Sequence, residues 1–137
     1  MTRLALRTAA IAFVAANALH SLDHLRQGTG RLTPEVFWGG SLLSVAAVVT
    51  LVLVLRGNPW APLAAAVVGF GSAFGVAASH LAPHWSAFSD PYPELGVDGL
   101  SWAVMLAEVA AALVLGVIGS RELRQTAAPT TWLSGST

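Results

Sequence analysis

The sequence predicts an all-α integral membrane protein, an up-down bundle of four transmembrane helices in one domain over residues 1–120. The first observation is composition: 55% of the residues are hydrophobic and 10% are charged, whereas soluble domains carry about 25% charged residues. The second is the presence of four apolar runs, each close to the ~20 residues that cross a ~30 Å hydrocarbon layer. The period-two alternation that is typical of barrel strands is absent.

The four runs are separated by polar, Gly and Pro breakers. They predict helices over about residues 4–25, 36–55, 61–82 and 99–119. The first run starts like a signal peptide, but its apolar character continues to Leu25, so it is assigned as a membrane helix. Residues 121–137 are polar and rich in Ser and Thr, which predicts a loosely ordered C-terminal tail.

Arginine placement predicts the orientation. An even number of spans puts both termini on one side, together with five arginines, Arg3, Arg7, Arg56, Arg121 and Arg124. Only Arg26 and Arg31 fall on the other side, so the positive-inside rule predicts cytoplasmic termini in a plasma (inner) membrane. The composition is typical of a GC-rich bacterial genome. The outer aromatic belt is predicted to contain Trp38, Trp85, Tyr92 and Trp102.

The only four histidines form two HxxxH pairs, His20 with His24 and His80 with His84, at the outward ends of helices 1 and 3. The segments "ALHSLDH" and "AASHLAPH" align on these pairs, which indicates a weak tandem repeat of one helical hairpin. A pseudo-twofold axis along the membrane normal would relate the two copies. Helices 1 and 3 would then be diagonal neighbours, and the two pairs would face each other.

Histidines at i and i+4 can chelate one metal ion, and imidazole suits zinc, copper and iron. The predicted ligands at the extracytoplasmic end are His20, His24, His80 and His84. Glu108 is predicted as a fifth ligand or as a catalytic proton-transfer group, and Asp23 and Asn17 as outer partners that orient the imidazoles. An HExxH motif is absent because Ser21 follows His20.

Two alternatives stay open beside the bare metal ion. A b-type haem could use one histidine from each pair, with room provided by Gly69, Gly71 and Gly75. A cofactor-free structural or partner-anchoring membrane protein is the other. The metal site itself could serve a membrane oxidoreductase, a hydrolase or a metal-binding module. Thiolate ligands and dithiol chemistry are excluded because the chain has no cysteine.

The predicted partners are the lipid bilayer and a small or lipid-soluble substrate, whereas nothing in the charge pattern points to nucleic acid. Gly71 and Gly75 form a GxxxG motif, which predicts close packing within the bundle or a homo-oligomer through this face of helix 3. The loop "PHWSAFSDPYPELGVD" is predicted to cover the mouth of the site. Its acidic residues, Asp90, Glu94 and Asp98, are expected to be solvated.

Overall fold

A computed structural model describes residues 2–28, 30 and 32–127, which contain helices and no strand. The helices are α1 (Thr2–Gln27), α2 (Pro34–Leu55), α3 (Ala61–His80), the short α4 (Tyr92–Leu95) and α5 (Gly99–Ala127). All except α4 are long and apolar enough to cross a membrane. The prediction of an all-α chain with four membrane-spanning segments is therefore confirmed at the level of helix number, length and composition.

The four long helices pack in a ring. Both α1 and α3 pack against α2 and against α5, and the contact between α3 and α5 is the most extensive. As a result α1 and α3 lie diagonally across the bundle, and their side chains can meet only near the bundle axis. This arrangement decides which residues reach a shared site.

The tight contact between α3 and α5 depends on glycine. A Cβ atom added at Gly69 would lie 2.8 Å from the Cα atom of Gly116, and one at Gly119 would lie 2.6 Å from the backbone nitrogen of Ala66. Only glycine permits this approach of two helix backbones. Of the two kinds of packing predicted for Gly71 and Gly75, the one within the bundle is wrong, because a Cβ at either meets nothing within 4 Å, and packing between protomers stays a prediction. At about 100° per residue, both lie on other faces of α3 than Gly69.

Five predicted helix ends differ from the structure, those at both ends of α1 and at the start of α2 by two residues each. Helix α3 ends at His80 rather than at residue 82, because Pro83 lacks an N–H and disfavours helical geometry at the residue before it. Helix α5 continues to Ala127, so residues 121–127 of the predicted tail are helical. Their sequence, "RELRQTA", contains good helix formers. Residues 128–137 lie outside the described part of the chain.

Candidate metal centre

Three imidazoles converge at one end of the bundle. His20 and His24 lie one turn apart on α1, and His80 is the last residue of α3. One ligand atom from each of the three residues lies within 4.8 Å of the others. The ring centroids are 4.6 Å apart for His20 and His24, 5.0 Å for His20 and His80, and 5.3 Å for His24 and His80. The diagonal pair of helices thus brings three of the four predicted ligands together.

Glu108 of α5 fixes one of these rings from outside the cluster. Its side chain is buried, and its Oε2 atom is hydrogen-bonded to Nδ1 of His20. The Asn17 amide donates to the Oε1 atom of Glu108 at 2.8 Å. A carboxylate can only accept here, so the His20 proton is on Nδ1 and the Nε2 lone pair is free for another partner. Glu108 is not a member of the three-histidine group, and Asn17 acts on the imidazole through Glu108.

His80 is oriented by the loop that follows α3. Its Nδ1 atom lies 3.0 Å from the backbone oxygen of Asp90 and 3.6 Å from Oδ2 of the same residue. Donation from Nδ1 to this carbonyl leaves Nε2 of His80 free. Asp90 is buried rather than solvated as expected. Burial raises the pKa of its carboxyl.

Tyr92 belongs to this site, and its predicted place in the aromatic belt is wrong. Its side chain is 1% exposed, and its hydroxyl lies 3.1 Å from Nε2 of His20. The ring packs 4.5 Å from His80 and 5.6 Å from Trp102, between ring centroids. Burial raises the pKa of the Tyr92 hydroxyl, so it keeps its proton and donates to the imidazole. The loop has folded back over the ends of α1 and α3.

His84 does not join the cluster. Because α3 ends at His80, the second HxxxH pair does not share a helix face. The His84 side chain is exposed, and its backbone N–H donates to Oε1 of Glu94 at 3.3 Å. The structure therefore places His84 on the surface of the covering loop.

Asp23 lies near the cluster but contacts other groups. Its buried carboxylate accepts from Arg26 Nε at 2.8 Å and from Gln27 Nε2 at 2.7 Å. Arg26 also donates to Asp98 at 2.9 Å and to Ser101 Oγ at 3.0 Å. The hydrogen bond from Arg26 lowers the pKa of Asp98 to about 2. This network ties the end of α1, which carries His20 and His24, to the start of α5.

A cavity of about 360 Å³ opens beside the imidazoles between α1, α2 and α3. His20, His24, His80 and Glu108 form part of its wall. The three-histidine cluster is therefore accessible from a space large enough for a small molecule.

Comparison of the chain with models of protein families, with curated proteins and with solved structures gave no match. The function has to be inferred from the chemistry of the site.

Proposed function

We propose that this chain is a membrane metalloprotein that binds one transition-metal ion through His20, His24 and His80. The observation that carries the proposal is the convergence of three ligand nitrogens within 4.8 Å. Zinc–nitrogen bonds of about 2.0–2.1 Å separate tetrahedral ligand atoms by about 3.3 Å. The distances between the ligand nitrogens would have to shorten by about 1.5 Å at most, which side-chain rotation can supply.

The hydrogen bonds around the cluster support a metal ion over a purely structural role. Two of the rings have Nδ1 occupied, by Glu108 in one case and by the Asp90 carbonyl in the other. Metal-ligating imidazoles are commonly oriented in this way by a carboxylate or a carbonyl. Within the described residues, only the Tyr92 hydroxyl reaches a ring nitrogen that these bonds leave free. One cation bound between the rings would use the nitrogens that these hydrogen bonds leave free.

Three imidazoles leave a coordination position open. Zinc sites with three protein ligands and an open fourth position are catalytic rather than structural, and imidazole equally suits copper and iron. All three histidines line the cavity, which supports contact between a bound ion and a small molecule. In this proposal Glu108 orients His20, which differs from the ligand or proton-transfer role that the sequence indicates. Without metal, the Tyr92 hydroxyl donates to Nε2 of His20, the atom that would bind the ion.

The ring distances favour a bare ion over haem. The two axial histidines of a haem lie on opposite faces of the macrocycle. Here the rings of His20, His24 and His80 contact one another, with centroids 4.6 to 5.3 Å apart. No flat porphyrin fits between rings in contact.

Elemental analysis and an optical spectrum of the purified protein test this proposal. We expect about one equivalent of zinc, copper or iron and no Soret band. The variants His20→Ala and His80→Ala should lose the metal, whereas the matched control His84→Ala should keep it. A Soret band with stoichiometric iron, or metal retained after both ligand substitutions, would overturn the proposal.

The orientation of the bundle is part of the proposal. The arginine distribution supports an up-down topology with cytoplasmic termini and a metal site on the extracytoplasmic side of a bacterial plasma membrane. The chain has no cysteine, so single cysteines can be introduced cleanly. In intact cells, Ser86→Cys should react with a membrane-impermeant maleimide and Asn58→Cys should not. The reverse pattern would invert the orientation.

A further inference from the structure

We propose that the cavity binds a linear, membrane-soluble amphiphile whose oxygen-bearing head reaches the metal site; this rests on the proposed function. The cavity has a volume of about 360 Å³, within the roughly 300–1,000 Å³ of small-molecule sites. Most of its lining residues belong to α1, α2 and α3. The cavity is open there because the first turns of α2 are mostly exposed and pack loosely against the other helices.

The walls away from the histidines are mainly apolar, and the polar lining residues apart from Asn17, Glu108 and the histidines are Ser21, Glu35, Ser41, Ser44 and Ser79. Val36, Leu43, Val76 and Phe88 line the cavity. Two serines of α2 also line it, but each donates its hydroxyl to its own helix, Ser41 to the Phe37 carbonyl at 2.8 Å and Ser44 to the Gly40 carbonyl at 3.0 Å. Hydroxyls bonded back to the helix offer little to a ligand. Asn17 and Glu108 also line the cavity, and they lie beside His20, where they are hydrogen-bonded to each other and to its ring.

The dimensions indicate a chain-like occupant. Along α2 the lining extends from Glu35 to Ser44, which is about 13 Å by helix rise. An extended chain advances roughly 1.2 Å per bond, so about ten carbons fill this length. Leu25 and Phe37 line the cavity and are 62% and 43% exposed on lipid-facing helices. A molecule dissolved in the bilayer can therefore reach the cavity sideways, between α1 and α2.

Glycine creates the space. A Cβ at Gly75 of α3 would meet no atom within 4 Å, and Gly75 lines the cavity. Gly71, one turn earlier on the same helix, is equally open but does not line the cavity. The two glycines are a matched pair, because a Cβ at either meets nothing within 4 Å and only Gly75 lines the cavity that a leucine there would fill.

The test uses the full chain in detergent, loaded with Co²⁺, whose visible spectrum reports a new ligand. The probes are decyl hydroxamate, which has the proposed length, and acetohydroxamate, which has only the head. We expect Gly75→Leu to weaken decyl hydroxamate binding by at least about tenfold and acetohydroxamate binding by less than about twofold. Gly71→Leu should change neither. Partition of the probe into detergent is the same for all variants and cancels.

Equal binding of decyl hydroxamate to both leucine variants would overturn the cavity assignment while leaving the metal site intact. Failure of wild-type protein to bind Co²⁺ would instead overturn the proposed function. Cysteine labelling tests the cavity without any metal. In Gly75→Cys, 1-decanol should slow maleimide labelling by at least about tenfold, whereas labelling of Gly71→Cys should be unaffected. If 1-decanol left the labelling rate of Gly75→Cys unchanged, the proposal that the cavity binds an amphiphile would be contradicted.

Discussion

The two helix pairs that the sequence presents as similar hairpins are packed very differently. Between α3 and α5, the backbones approach so closely that a Cβ at Gly69 or Gly119 would lie under 3 Å from backbone atoms of the other helix. In α2 of the other pair, the buried side chains are only Ala47, Thr50 and Val54. Glycines of α2 do not form a comparable contact, since a Cβ at Gly40 meets nothing within 4 Å.

This difference explains where the site lies. The close pair supplies a rigid frame that carries His80 and Glu108, and the loose pair supplies His20, His24 and an open flank. A bundle packed tightly on all sides would bury the imidazoles without access. The asymmetry between the pairs therefore gives the cluster both fixed ligands and a cavity beside it.

The largest effect should come from breaking the close pair. Gly69→Leu places a side chain where a Cβ alone would lie 2.8 Å from the Cα atom of Gly116. We expect a loss of about 3 kcal/mol or more in stability, or failure to fold, because overpacking against backbone cannot relax easily. Thermal unfolding in detergent measures this. Gly71→Leu is the control on the same helix and should unfold near the wild-type temperature; equal effects of both would refute the packing difference.

The next largest effect should come from the hydrogen bond between Glu108 of α5 and His20. Glu108→Gln keeps the shape of the side chain but weakens its bond to His20 Nδ1. Substitutions of such orienting partners typically cost about 10–100-fold in metal affinity, and we expect a loss in that range by competition titration with a chelator. Glu94→Gln, in the exposed loop, is the control and should titrate like wild type. An unchanged affinity in Glu108→Gln would remove Glu108 from the site.

Tyr92 tests the loop that covers both pairs. Tyr92→Phe removes the hydroxyl that donates to His20 Nε2, which should destabilise the metal-free protein by about 1 kcal/mol. Because that hydrogen bond competes with the ion for Nε2, metal affinity should rise by up to about tenfold. Titration of the variant with a competing chelator measures the metal affinity and so distinguishes a competing hydrogen-bond donor from a metal ligand. A large loss of affinity would mean that Tyr92 itself binds the metal.

The smallest effect should come from the Arg26 network that joins the pairs. An aspartate in an unfolded chain has a pKa of about 3.9, and the hydrogen bond from Arg26 lowers the pKa of Asp98 in the folded protein to about 2. A depressed pKa stabilises the fold above about pH 4, and that contribution disappears as the pH falls through 2. Asp98→Asn should therefore lower the melting temperature slightly at about pH 6 and not at about pH 2. If Asp98→Asn lowered the melting temperature equally at both pH values, the charge of Asp98 would not contribute to stability.

The sequence predicts the four long helices well, because apolar length alone specifies a membrane span. It also predicts three of the clustered residues, since His20 and His24 share a face of α1 by spacing and His80 ends the diagonal helix. The exclusion of His84 has a local cause that the sequence contains, because Pro83 ends the helix before it. The apolar residues Leu81 and Ala82 favour an α3 that is two residues longer than the chain forms.

The remaining features depend on how the loop folds and are not encoded by periodicity. Tyr92 enters the site because the chain reverses after Asp90, whose N–H donates to the Ser79 carbonyl at 2.9 Å. Aromatic residues near helix ends usually lie at the membrane interface. Residue type therefore predicts an interfacial position for Tyr92, whereas its side chain is buried in the site. The close pair is likewise hidden from the sequence, because glycine spacing marks a contact without saying which helix face makes it.

X-ray absorption spectroscopy of the metal-loaded protein tests the central claim most directly. We expect about three imidazole nitrogens at about 2.0–2.1 Å from the metal ion. The imidazole signal should fall in His80→Ala and stay unchanged in His84→Ala. A shell with four imidazoles that loses one in His84→Ala, or an imidazole signal that His80→Ala leaves intact, would contradict it.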